Sequence, residues 1–366
     1  MVEMTFRWYG PDEDTITLKQ IRQIPGVSGV VGCLMDIPVG EVWSPERIGA
    51  LVSRVHAAGL TMKVIESVNV HDDIKAGLPT RDGYIENYKQ TIRNLAAFGV
   101  KVICYNFMPV FDWVKSDLDY ELPDGSRTLC FMQKNIPNDP NVLLDRYVKG
   151  TNDFVLPGWE PERLAHIRHL FEIYKDVDEE ALRKNLVFFL EALMPTCEKY
   201  DVRMAIHPDD PPYSLFGLPR IIKNRDDLDW LCRSVDTPYN GITLCTGSIA
   251  EDPGNDPYAI LAEFSRRGRI HFVHARNIRY LDPDESKDFY EAAHYSPCGS
   301  LDMYKVLETL HDNGFDGYIR PDHGRMIWGE KGRPGYGLYD RALGTQYLLG
   351  IWEALEKRKG GRRHTA

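Results

Sequence analysis

Four residues of metal-ligand type close four apolar runs in the second half of the chain. They are His207 in "RMAIHPDD" (203–210), Cys245 in "GITLCTGS" (241–248), His274 in "IHFVHARN" (270–277) and Asp322 in "GYIRPDHG" (317–324). Two imidazoles, a thiolate and a carboxylate can converge on one divalent cation, and a metal is the simplest reason to gather them. Arg320 stands two residues before Asp322 and therefore shares its face of a strand, and Pro321 is tolerated where the ladder ends. A lone strand His is usually a hydrogen-bonded core residue, and a lone buried Cys a small hydrophobe. Packing has no need of four ligand types at equivalent positions.

These runs belong to a longer series. Earlier ones are "TFRWYG" (5–10), "VSGVVGCL" (27–34), "TMKVIESV" (61–68) and "KVICYNFM" (101–108), each separated from the next by a helical pattern. Helix-stop phrases such as "HAAGL" and "AAFGV" precede several of them. Eight βα repeats predict a closed (β/α)8 TIM barrel whose active site lies at the C-terminal strand ends, where the four ligand types stand. The long interval between the fourth and fifth runs holds an Asp-Gly turn in "YELPDGSRTLCF" (120–131), predicting a hairpin within an insertion at about 110–165. Residues 1–355 are thus expected to form one catalytic domain, and the basic 356–366 a disordered tail.

The barrel assigns the remaining groups. His323 follows Asp322 at the mouth, and Tyr339 lies in the glycine-rich "GEKGRPGYGLYDRALG"; both are candidates for proton transfer. The other reading of Tyr339 is packing at the start of the final helix. Glu66 shares the register of Val64 and is either a site residue or a surface charge, while Asp209 supports His207 or caps a loop. His271 points away from His274, and His56, His166, His169 and His311, in helical patterns, are expected on the surface.

Composition excludes several partners. A net charge of -10 over 366 residues argues against nucleic acid, and no apolar run is long enough for a membrane. Seven scattered cysteines without a C-x-x-C pair point to a reducing, cytoplasmic setting.

The motifs "AIHPDDPP", "LCTGS", "FVHARN", "YIRPDHGR" and "GYGLYDRALG" together resemble the mannonate dehydratase family. The resemblance implies a xylose-isomerase-like barrel, dehydration of the sugar acid D-mannonate to 2-dehydro-3-deoxy-D-gluconate in hexuronate catabolism, and a homo-oligomer, a dimer. It places His207, Cys245, His274 and Asp322 around Mn2+ or Fe2+, where ligand chemistry alone admits Zn2+. Arg320 would then hold the substrate carboxylate as a planar fork, with His323 and Tyr339 exchanging protons at C2 and the 3-hydroxyl. A sugar isomerase or epimerase on the same barrel is the alternative, although a thiolate suits such carboxylate-rich sites poorly.

Overall fold

The computed structural model describes residues 2–150 and 167–363. Eight parallel strands close into a barrel: β1 (Glu3–Arg7), β2 (Gly29–Gly32), β3 (Thr61–Glu66), β4 (Val102–Tyr105), β7 (Arg203–Ile206), β8 (Asn240–Cys245), β9 (Ile270–Ala275) and β12 (Tyr318–Pro321). All eight coincide with the apolar runs. Their β-branched, nearly continuous hydrophobic character suits strands covered by helices on one face and filled on the other. Period-two alternation then sends Val31, Val64, Val102, Ala205 and Phe272 into one layer at the barrel centre. The next inward position along β3, β8 and β9 is Glu66, Cys245 and His274. A greasy floor therefore carries a ring of reactive groups at its C-terminal edge.

The helices are punctuated as their sequences demand. Asp178, Asn224, Asp256 and Asp302 cap the helices that follow them by accepting backbone N–H groups. Gly59 and Gly99 take φ of 75° and 81° after their helices, a left-handed conformation that turns the chain into β3 and β4 at no steric cost.

A second sheet caps the mouth, in the order β10–β11–β6–β5. Strands β5 (Asp117–Glu121) and β6 (Arg127–Phe131) form the hairpin anticipated around Asp124–Gly125. Strands β10 (Asn277–Tyr280) and β11 (Phe289–Ala292) come instead from the connection between β9 and β12, and β11 pairs with β6. Neither β10 nor β11 was legible in the sequence. The cap has its own apolar centre, including Val110, Phe111, Trp113 and Leu129. The last part of the proposed insertion, 151–165, lies outside the described residues, as does His166.

Two expectations change. The C-terminal segment predicted as a disordered tail continues the final helix, Leu338–Arg363; only 364–366 lie outside the described residues. Glu, Lys and Arg are good helix formers, and Arg358 ties this end to Glu308 and Asp312. His311, expected on the surface, is buried, with its ring against Trp352.

Candidate metal centre and active site

The strand ends converge as their spacing requires. The ligand atoms of His207, Cys245 and His274 all lie within 4.8 Å of one another. Asp322, whose N–H extends the ladder to the Ala275 carbonyl, brings Oδ2 to 3.6 Å from the Cys245 sulfur and 3.8 Å from His274 Nδ1. The chemistry of this set fits a divalent cation. His207 Nδ1 is 2.7 Å from the Pro208 carbonyl, which can only accept, so that nitrogen carries the proton and Nε2 keeps its lone pair for a ligand. Cys245 and His274 are almost completely buried and His207 partly so.

Glu66 belongs to the site. Its carboxylate accepts from Arg320 Nε at 3.1 Å and Nη2 at 2.8 Å, and one oxygen is 3.1 Å from His274 Nε2. Burial alone would raise this carboxyl, but Arg320 and then His274 outweigh it and hold it well below the usual range. Arg320 also meets Asp322 Oδ1 at 2.6 Å. For Asp322 too, burial is outweighed first by Arg320, and the group stays ionised. Glu66, Cys104 and His274 form a second cluster of ligand types, but the guanidinium on Glu66 already neutralises it and would repel an ion there.

The fork expected to take a substrate carboxylate is therefore engaged with two protein carboxylates. The other arginine of the cavity wall is Arg7, at the end of β1. It donates to the carbonyls of Trp8 and Val31 and to the Cys33 sulfur, its Nε has no partner, and it makes no ion pair among the described residues.

The two proton-transfer candidates separate. His323 lines the cavity, with Nδ1 3.1 Å from Glu291 Oε1. Tyr339 does not line it. This residue sits at the start of the final helix, 42% exposed, with its ring beside Trp328. The tyrosine of this glycine-rich segment that does line the cavity is Tyr336, three residues earlier and edge-on to His323 at 5.3 Å between ring centres. Burial first, and then neighbouring Tyr9, push its phenol well above the usual value, so it stays protonated. Gly335 sets this up with φ of 79°, turning the chain so that Tyr336 faces inward while Tyr339 enters a helix. Sequence could place a tyrosine on this segment but could not say which one the turn would present.

Asp209 caps a loop by accepting the N–H groups of Ile221 and Ile222, and His271 is buried on the outer face of β9. The mouth opens into a cavity of about 800 Å³ that also touches Asp36, Trp43, His71, Asp112 and Trp113.

Behind these strand ends lies a buried charge network. Arg276 donates to Asp210, Glu251 and Glu291, and Lys115 from the cap reaches Asp210 at 2.5 Å and Glu251 at 2.9 Å. Burial would raise Glu291, but Arg276 and His323 hold it down at about 2. Glu251 goes the other way, to about 8, because burial and Asp210 exceed the pull of Lys115 and Arg276.

A family profile described as D-mannonate dehydratase matches residues 2–362. A mannonate dehydratase of Lactococcus lactis subsp. cremoris is 65% identical over 98% of this chain and 100% of its own length. One from Thermotoga maritima is 59% identical, covering 98% and 99%. The crystal structure of mannonate dehydratase from Streptococcus suis serotype 2 superposes with a TM-score of 0.87 at 44% identity, covering 98% of this chain and 96% of that one. A xylose isomerase-like TIM barrel protein from Mycobacterium smegmatis, at TM-score 0.56 and 14% identity over 97% of both chains, shares the fold alone.

Proposed function

The chain belongs to the D-mannonate dehydratase family and is a hydro-lyase acting on that sugar acid, and we propose that it works through a divalent ion held by His207, Cys245, His274 and Asp322, with His323 and Tyr336 exchanging the protons. The observation that carries this reading is the convergence of three strand-end donors within 4.8 Å, two of which, His207 and His274, line a cavity that also presents the His323–Tyr336 pair.

Loss of water across C2 and C3 needs a base for the C2 proton, an acid for the departing 3-hydroxyl, and a stabiliser for the charge that gathers on the carboxylate. A bound Mn2+ or Fe2+ supplies that stabilising positive charge. Of the protein groups, His323 suits the base: Glu291 stands behind Nδ1, which leaves Nε2 as the accepting nitrogen. Tyr336 suits the acid, because a phenol kept protonated by burial has a proton to give. Arg320 orients Glu66 and Asp322, and through them His274, and Arg7 supplies the unpaired positive charge that faces a substrate carboxylate.

The product would be 2-dehydro-3-deoxy-D-gluconate, a step of hexuronate breakdown. Seven free cysteines suit a cytoplasmic protein. Exposed Tyr339 and Leu343 on the final helix, with exposed Trp328 from the preceding loop beside Tyr339, suit self-association into a dimer. Metal-stripped protein reloaded separately with Mn2+, Fe2+ or Zn2+ and assayed for a 2-keto-3-deoxy acid from D-mannonate tests the reading. Turnover without added metal would overturn it.

A further inference from the structure

The Cys245 sulfur sits in a nest of donors that its ligand role alone does not require. Ser248 approaches it twice, by its N–H at 3.4 Å and by Oγ at 3.1 Å. The same Oγ lies 2.9 Å from Asp210 Oδ2 and receives Arg276 Nη1 at 2.9 Å. Ser248, Arg276, Glu251 and Lys115 are all completely buried. The fit is close: a Cβ on Gly247 would fall 2.4 to 2.6 Å from the Arg276 side chain, so glycine is what lets that arginine reach Ser248.

Ser248 has one hydroxyl proton and two acceptors for it. Asp210 already receives Lys115 at 2.5 Å and Arg276 at 2.6 Å, both charged donors. The sulfur has only the serine N–H and, at 3.8 Å, a distant Arg276 nitrogen. Charge-assisted donors outcompete neutral ones, so with Lys115 on Oδ1 and Arg276 on Oδ2 the serine hydroxyl is free to turn its proton from Asp210 to the sulfur.

We propose that Ser248 is a positioning residue that holds the Cys245 sulfur toward the ion, and that Lys115, from the cap, keeps it there by satisfying Asp210. The chain Lys115–Asp210–Ser248–Cys245 thus makes the ligand geometry depend on the docked cap. This inference rests on the reading of Cys245 as a ligand. Groups behind a metal ligand commonly change metal affinity by about 10- to 100-fold when removed.

Cobalt-substituted protein gives a readout independent of turnover, because a thiolate on Co2+ produces a charge-transfer band. Ser248→Ala removes one oxygen and leaves a good helix former. Losing a donor raises the energy of the sulfur lone pairs, so the band should move to longer wavelength and the Kd for Co2+ should rise by about tenfold. Lys115→Met should move the band the same way without touching the sulfur, with circular dichroism recorded on both variants to establish folding. An unchanged band and Kd in folded Ser248→Ala would overturn the proposal, and an unchanged band in folded Lys115→Met would overturn the part assigned to the cap. If the parent protein shows no such band, or Cys245→Ser keeps it, the ligand assignment itself fails instead.

Discussion

Arg320 and Glu66 face each other across the barrel mouth as a two-pronged pair, Nε and Nη2 of the one donating to both oxygens of the other. A third nitrogen of the same guanidinium holds Asp322. Arg320→Lys keeps the charge but offers one compact donor group in place of the planar fork. Mn2+ affinity should fall by about 10- to 100-fold, because Asp322 and His274 lose their fixed orientation. Calorimetric titration checks this; parental affinity would mean that the fork does not orient the ligands.

Tyr336 and Tyr339 provide a paired test. Tyr336→Phe should lower kcat by about 10²- to 10⁴-fold with metal content unchanged, the usual effect of losing a positioned acid. Tyr339→Phe should leave turnover near parental. The reverse pattern, read by steady-state kinetics, would return the acid role to the helix start.

Cys245→Ser should purify with little metal. A hydroxyl is not ionised at neutral pH and cannot replace a thiolate as ligand. Elemental analysis showing full occupancy would remove Cys245 from the ion's surroundings.

Glu251 makes stability depend on pH. Its folded carboxyl is raised to about 8 from an ordinary 4.5. The folded chain therefore keeps a proton that the unfolded chain releases, and the stability this gives is full below the unfolded value and lost as pH rises through the folded one. Glu251→Gln is neutral throughout. The difference in Tm, variant minus parent, should grow from about pH 5 to about pH 9. A flat difference would show that the proton resides elsewhere.

Gly241 lies on β8 where a Cβ would come within 2.2 Å of His271 Nε2 and 2.5 Å of the Arg269 carbonyl oxygen. Gly241→Ala should cost about 1–3 kcal/mol in a denaturant titration, as forced overpacking does. Metal binding should survive, since His271 faces away from the ion.

The convergence of His207, Cys245, His274 and Asp322 was legible because each closes a strand, and strand periodicity fixes facing. Glu66 was visible as inward but not as a partner, since nothing local announces that Arg320 meets it across the barrel. The buried network was less legible still. Lys115, Asp210, Glu251, Arg276 and Glu291 come from four different connections of the barrel and look like ordinary surface charges in sequence; only the folded cap brings them together. Strands β10 and β11 escaped notice because they are four residues each, and β10 follows β9 after a single residue.

The pairing of β6 with β11 also fixes an order of events during synthesis. Phe131 leaves the ribosome long before Phe289, the residue it pairs with. Until then β6 presents a bare edge with Leu129, Cys130 and Phe131, side chains that are buried in the finished cap. A nascent or prematurely ended chain carries that edge unprotected, open to pairing with another copy. Protection of that edge therefore waits until the chain beyond residue 289 has emerged, and the site itself is complete only when Asp322, His323 and Tyr336 follow.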